Sequence, residues 1–183
     1  MKKTLLFVLT FFSITSFAGS GTNFNYDYIS TGAGTLKIDG VGTGSFLSVA
    51  GSITDGKFII KGKYGIDLVS NGELNVSQVG LGYHMPIMTS SDLIVGIGFD
   101  ETSLTLAGVS GGKSNMFVDA EIARKISDKT MFSGKLMMKL SDASYDLVLS
   151  SVHKINDTTS LVFSHQPDKN AKVTSISLRF PLL

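Results

Sequence analysis

Three histidines, His84, His153 and His165, are the side chains of this sequence best suited to moving protons near neutral pH. A hydrolase built on one of them needs a carboxylate or a serine within hydrogen-bond reach. His84 falls on a polar strand face, where Asp100 on the following strand is its candidate partner, whereas His153 and His165 fall on the apolar face near strand ends. Nothing else completes a catalytic constellation, so a solvated or turn-capping His84 is the expectation, with a barrel enzyme using His84 as the weaker alternative. The chain has no cysteine, which excludes a disulfide, a thiolate metal site and a cysteine nucleophile. The glycine-rich stretches Gly32-Ala33-Gly34, Gly40-Val41-Gly42-Thr43-Gly44 and Gly108-Val109-Ser110-Gly111-Gly112 are followed by no Gly-Lys-Ser/Thr opening a helix, so they read as loops and bulges. Asp119 and Glu121 stand two apart on one strand face, a spacing that suits an ion site or, with Lys135 and Lys139 on the next strand, a salt-bridged interior. The second is expected; no catalytic residue, metal or cofactor is assigned.

These residues sit in a chain of 183 residues with 16 basic against 15 acidic side chains, 17% charged residues and no tryptophan. That charge content is low for a soluble domain, where roughly 25% is usual. No basic patch exists to hold nucleic acid. Met1-Lys2-Lys3, the apolar run Leu5 to Phe12, and small residues at Ser16 and Ala18 before Gly19 form a secretory signal pattern. Residues 1–18 are therefore expected to be a signal peptide and 19–183 a single exported domain. The apolar run is much shorter than the roughly 20 residues of a spanning helix.

Beyond Gly19 the dominant period is two. In the segment 57–68, Phe58, Ile60, Tyr64, Ile66 and Leu68 share one face while Lys57, Lys61, Lys63 and Asp67 share the other. The template repeats ten times, near 23–36, 44–53, 57–68, 75–85, 92–106, 115–126, 131–140, 145–155, 160–166 and 172–182. Between them lie turn-forming groups such as Thr54-Asp55-Gly56, Ser70-Asn71-Gly72, Ser110-Gly111-Gly112 and Pro167-Asp168-Lys169-Asn170. Short connections leave no room for crossover helices, so the strands form an antiparallel meander, and closure into a barrel removes its exposed edges. The fold class is all-β: one up-and-down barrel of ten strands, with eight as the alternative.

Most candidate strands reach the 9 to 11 residues, roughly, that a tilted strand needs to cross a bilayer. The polar faces carry both signs in near balance: Asp27, Lys61, Lys63, Asp100, Asp119, Glu121, Lys135, Lys139, Asp146 and Arg179. The apolar faces carry no charge in their middles, and Phe58, Ile60, Val95, Ile97, Leu136, Met138, Leu147, Leu149, Ile176 and Leu178 are expected to face lipid. Tyr26, Tyr28, Tyr64, Tyr83, Phe99, Tyr145 and Phe180 fall near strand ends, where interfacial rings gather. The competing arrangement is a soluble periplasmic barrel turned the other way, with Leu47, Phe58, Ile60 and Leu136 lining a cavity for an apolar ligand.

The chain resembles the small outer-membrane β-barrel proteins of Gram-negative bacteria, the OmpA-type or porin-like group, and its ten-strand members in particular. The resemblance is carried by Phe24-Asn25-Tyr26-Asp27-Tyr28, by Val79-Gly80-Leu81-Gly82-Tyr83 leading to Thr89 through Phe99, and by the closing Ser175-Ile176-Ser177-Leu178-Arg179-Phe180. It implies an outer-membrane location, with membrane lipid and the barrel-insertion machinery as partners; no nucleic-acid partner is expected, and a monomer is the expected state, the oligomeric state being left open by the sequence. Members of the group usually end on an aromatic residue, whereas Phe180 here is followed by Pro181-Leu182-Leu183. The expected role is non-enzymatic: a structural or narrow porin-like barrel with a polar, charge-filled lumen.

Overall fold

A computed structural model of the protein describes residues 26–38, 42–69, 72–106, 109–167 and 171–182. The signal pattern at 1–18, Phe24-Asn25, Ser70-Asn71 and Asp168-Lys169-Asn170 lie outside the described residues, as does the side chain of Asp67. The strands are β1 (Tyr28–Ile38), β2 (Gly42–Asp55), β3 (Phe58–Val69), β4 (Gly72–Met88), β5 (Ser91–Leu106), β6 (Val109–Lys125), β7 (Thr130–Lys139), β8 (Tyr145–Asn156), β9 (Thr159–Pro167) and β10 (Ala171–Pro181). Each pairs antiparallel with its sequence neighbour, and β1 pairs with β10 from Tyr28↔Pro181 to Ile38↔Ala171, so the barrel is closed. Closure satisfies the backbone groups that an open ten-strand sheet would leave at two edges.

Two departures from the sequence reading concern length. Ser110-Gly111-Gly112 is not a turn; these residues lie inside β6 and pair with Thr105, Leu104 and Ser103 of β5. β6 is thereby extended to 17 residues, and β4 and β5 run to 17 and 16, against 9 for β9. The β5–β6 hairpin therefore rises past the end of β7, whose pairing with β6 stops at Phe117↔Lys139, at the end opposite the chain termini. There the 140–144 connection leans on β6: Leu140 N donates to Met116 O at 2.8 Å, Ser141 Oγ donates to Asn115 Oδ1, and Lys113 Nζ meets Asp142 Oδ2 at 2.7 Å. Donors from Lys113 and Ser144 outweigh partial burial and hold the Asp142 carboxyl down at about 2. A lowered acid contributes above its unfolded pKa and stops contributing as pH falls through the folded one. This tether is accordingly expected to hold through mild acid and to release only near pH 2, read by proteolytic nicking of the 140–144 connection across an acid series.

Side chains alternate between the two sides of the wall, as the pleat requires. Along β7, Met131, Ser133, Lys135, Met137 and Lys139 are buried, while Phe132 and Leu136 are exposed. The inside is narrow enough that glycines are needed where large side chains cross it. A Cβ on Gly98 would sit 2.5 Å from Phe117 Cζ and against the Val79 carbonyl, and one on Gly96 would collide with the Asp119 carboxylate. Gly98→Val must displace backbone as well as a ring, which costs about 1 to 3 kcal/mol in a packed interior. The variant is expected to unfold at a lower temperature than the parent when folded and unfolded forms are separated by gel mobility; an unchanged midpoint would contradict the packing.

Candidate functional site

The strand alternation that sends Leu, Ile and Phe outward directs toward the axis a set of charged and polar side chains, and these are the residues on which any activity must rest. Near the middle of the barrel, Asp119 on β6 lies between Lys135 of the adjacent β7, at 2.6 Å, and Lys61, which reaches it from β3 across the interior at 2.9 Å. Glu121, one step further along the inward face of β6, is buried beside them, and Lys63 and Arg179 are buried as well. Toward the end opposite the termini, Asp100 accepts from Asn115 Nδ2 at 3.3 Å and faces Lys139 at 3.6 Å, and Asp146 accepts from Gln166 Nε2 at 3.0 Å. Opposite charges brought out of water are tolerated only when paired and hydrogen-bonded. The near balance of sign read from the sequence is what allows so many of them to share one interior.

Apolar side chains gather toward both ends of this polar belt. At the end of the chain termini, Tyr26 and Tyr28 turn inward and pack with Ile59, Ile94, Met131 and Val152. Tyr26 Oη donates to Asp92 Oδ2 at 2.9 Å, its ring meets His84 edge-on at 5.2 Å, and the Arg179 guanidinium lies 4.0 Å from the centroid of Tyr28. At the opposite end Leu36, Phe46, Leu74, Val76 and Val173 form a second cluster, with Leu104 packed against it. Between Lys61, Lys63, Gln78, Phe117 and Lys135 there is a small, half-open space of about 20 Å³, the size of a single water site. An open recess of about 400 Å³ at the end of the termini is floored by Tyr28, Met131 and Val152, members of the first cluster.

Several sequence expectations are corrected by this geometry. His84 is buried but is not beside Asp100: His84 stands opposite Ile94 and Asp100 opposite Gln78, six residues apart along the strand pair. Its Nε2 lies 3.2 Å from the Gly56 carbonyl, in a turn where Gly56 takes a φ of 60°. Asp27 precedes β1 and is at the rim, accepting from the Thr54 backbone N at 2.5 Å, not in the belt with the other charges. Tyr26 and Tyr28 belong to the inner cap and not to an interfacial ring. Leu47, Phe58, Ile60 and Leu136, which would line the cavity of a soluble barrel, are all exposed on the outer wall. The other outward positions named from sequence, Val95, Ile97, Leu147, Leu149, Ile176 and Leu178, are exposed too, with Met138 partly so. What the sequence reading missed is the pair of apolar clusters. Ile59 and Ile94 occupy polar-face positions and were the available signal.

Among solved structures the chain is similar to a KdgM porin in complex with disordered oligogalacturonate, at 8% identity and a TM-score of 0.52, over 85% of this chain and 99% of the porin. A second KdgM porin structure superposes with a TM-score of 0.50 at 9% identity, covering 84% and 99% of the two chains. The fold is that of an outer-membrane β-barrel. Neisserial surface protein A is also similar, at 11% identity and a TM-score of 0.41 over 85% of this chain and 96% of that one. No protein-family model and no curated protein sequence matches. At these identities the likeness speaks for architecture, and the interior has to be read from this chain's own residues.

Proposed function

We propose that this protein is a non-enzymatic barrel of the outer membrane whose interior is sealed, so that it serves as a membrane-spanning structural element and not as an open pore. The observation that carries the reading is the pair of apolar clusters, one toward each end of an ion-paired belt whose members are buried against one another. A porin needs a continuous polar passage, and ten strands leave an interior only slightly wider than the eight-strand barrels that side chains fill. The outer wall supports membrane residence: Phe58, Ile60, Leu136 and Ile176 are each at least half exposed, an apolar display that water would penalise and hydrocarbon would not. A role for His84 as a base is disfavoured by its place, held between Tyr26 and the Gly56 carbonyl.

In this reading residues 1–18 direct export, the insertion machinery receives the barrel with its closing strand β10, and the barrel works as a monomer among lipids. The test is fractionation of the expressed protein with gel mobility compared before and after heating. Recovery in the outer membrane with a heat-dependent shift is expected. Recovery in the soluble periplasmic fraction without a shift would refute the membrane assignment.

A further inference from the structure

The outer wall across β9, β10, β1 and β2 changes chemistry in ordered steps along the strands. Starting at the end of the termini, Ile29 lies opposite Phe180, then Thr31 opposite Leu178, then Ala33 opposite Ile176, all facing outward. Phe163 and Leu161 flank this stretch on β9, and Leu47 and Val49 flank it on β2. The next pair is Thr35 with Thr174, and Thr174 Oγ1 is hydrogen-bonded to His165 Nδ1 at 3.0 Å. One step further, Lys37 and Lys172 are direct cross-strand partners, both exposed on the same side of the sheet. Hydrocarbon, then hydroxyl and imidazole, then paired ammonium is the order in which a bilayer presents acyl chain, interface and phosphate.

Like charges directly opposite on adjacent strands destabilise a sheet unless an anion lies between them. Neither lysine pairs with an acid among the described residues. Around the same end of the barrel the outward charges on β4 and β5 are Glu73 and Glu101, so the cationic step is confined to one side of the wall. We infer that Lys37 and Lys172, with the Thr174–His165 pair beneath them, form a binding site for the head-group phosphate of an anionic lipid whose acyl chains lie along Ile176, Leu178 and Phe163. The site rests on the membrane reading above and adds to it a fixed lipid at one position on the circumference.

The test is native mass spectrometry of the chain released from nanodiscs of phosphatidylcholine containing phosphatidic acid as the minor lipid. The parent is expected to retain phosphatidic acid above its bulk proportion, and Lys37→Gln with Lys172→Gln to reduce that enrichment by about tenfold. Lys129→Gln, in the β6–β7 turn at the other end, is expected to leave it unchanged. Enrichment that survives the double substitution, or that inorganic phosphate at matched concentration abolishes in the parent, would overturn the lipid site. A parent chain that does not enter the nanodiscs would instead overturn the membrane reading, so the two failures are distinct.

Discussion

Asp119→Asn is expected to lower the stability of the barrel by about 3 to 5 kcal/mol, the cost of breaking a buried ion pair from one side. The substitution keeps the shape of the side chain and removes the one charge that both Lys61, at 2.9 Å, and Lys135, at 2.6 Å, contact. Asp119 and Lys135 are almost fully buried there, and Lys63 is close enough to add repulsion once the carboxylate is gone. Lys135→Met removes a cation but leaves Lys61 on Asp119, so its effect is expected to be clearly smaller. Urea midpoints of the two variants and the parent, in the same detergent, decide the matter. An Asp119→Asn barrel within about 0.5 kcal/mol of the parent would mean that the central network carries little of the interior's stability.

Leu136→Lys is the second large effect. Leu136 is half exposed in β7, four residues after the exposed Phe132 on the same outward face. In a bilayer a lysine at mid-depth on the lipid side costs about 2 to 4 kcal/mol, falling to about 0 to 1 near the interface. Leu140→Lys, just past the end of β7 in the 140–144 connection, is therefore expected to be mild. The ranking is measured by refolding each variant into liposomes and titrating with denaturant. Equal effects at the two depths, or a neutral Leu136→Lys, would argue that this face meets water.

Strand number, the antiparallel meander and the side of the wall each residue takes were legible in the sequence because alternation is a local property. Lys61, Asp119, Lys135 and Asp146 differ in parity from Phe58, Val118, Leu136 and Leu147 on the same strands, and no tertiary information is needed to separate them. Depth along the barrel was not legible in this way. Ile59, Ile94 and Val148 sit at polar parity, where a single apolar residue looks like noise; only closure reveals that Ile59 and Ile94 fall at one height with Tyr26 and Tyr28 and make a cap. The Lys61–Asp119 contact likewise joins β3 to β6 across the interior, a separation set by barrel radius and by the absence of side chains at Gly96 and Gly98, not by neighbouring register. Ser110-Gly111-Gly112 misled for the opposite reason. Its composition suits a turn, yet pairing to Ser103, Leu104 and Thr105 extends the strand through it. The His84–Asp100 pairing failed because adjacency of strands says nothing about register until the β4–β5 turn is located at 89–90.

The central claim, a membrane barrel closed at both ends by its own side chains, is tested most directly by single-channel recording in planar bilayers with the inserted, heat-modifiable protein. The account predicts a flat baseline with no stable conductance steps. Large, long-lived openings in the parent protein would contradict it and would make the two apolar clusters gates instead of seals.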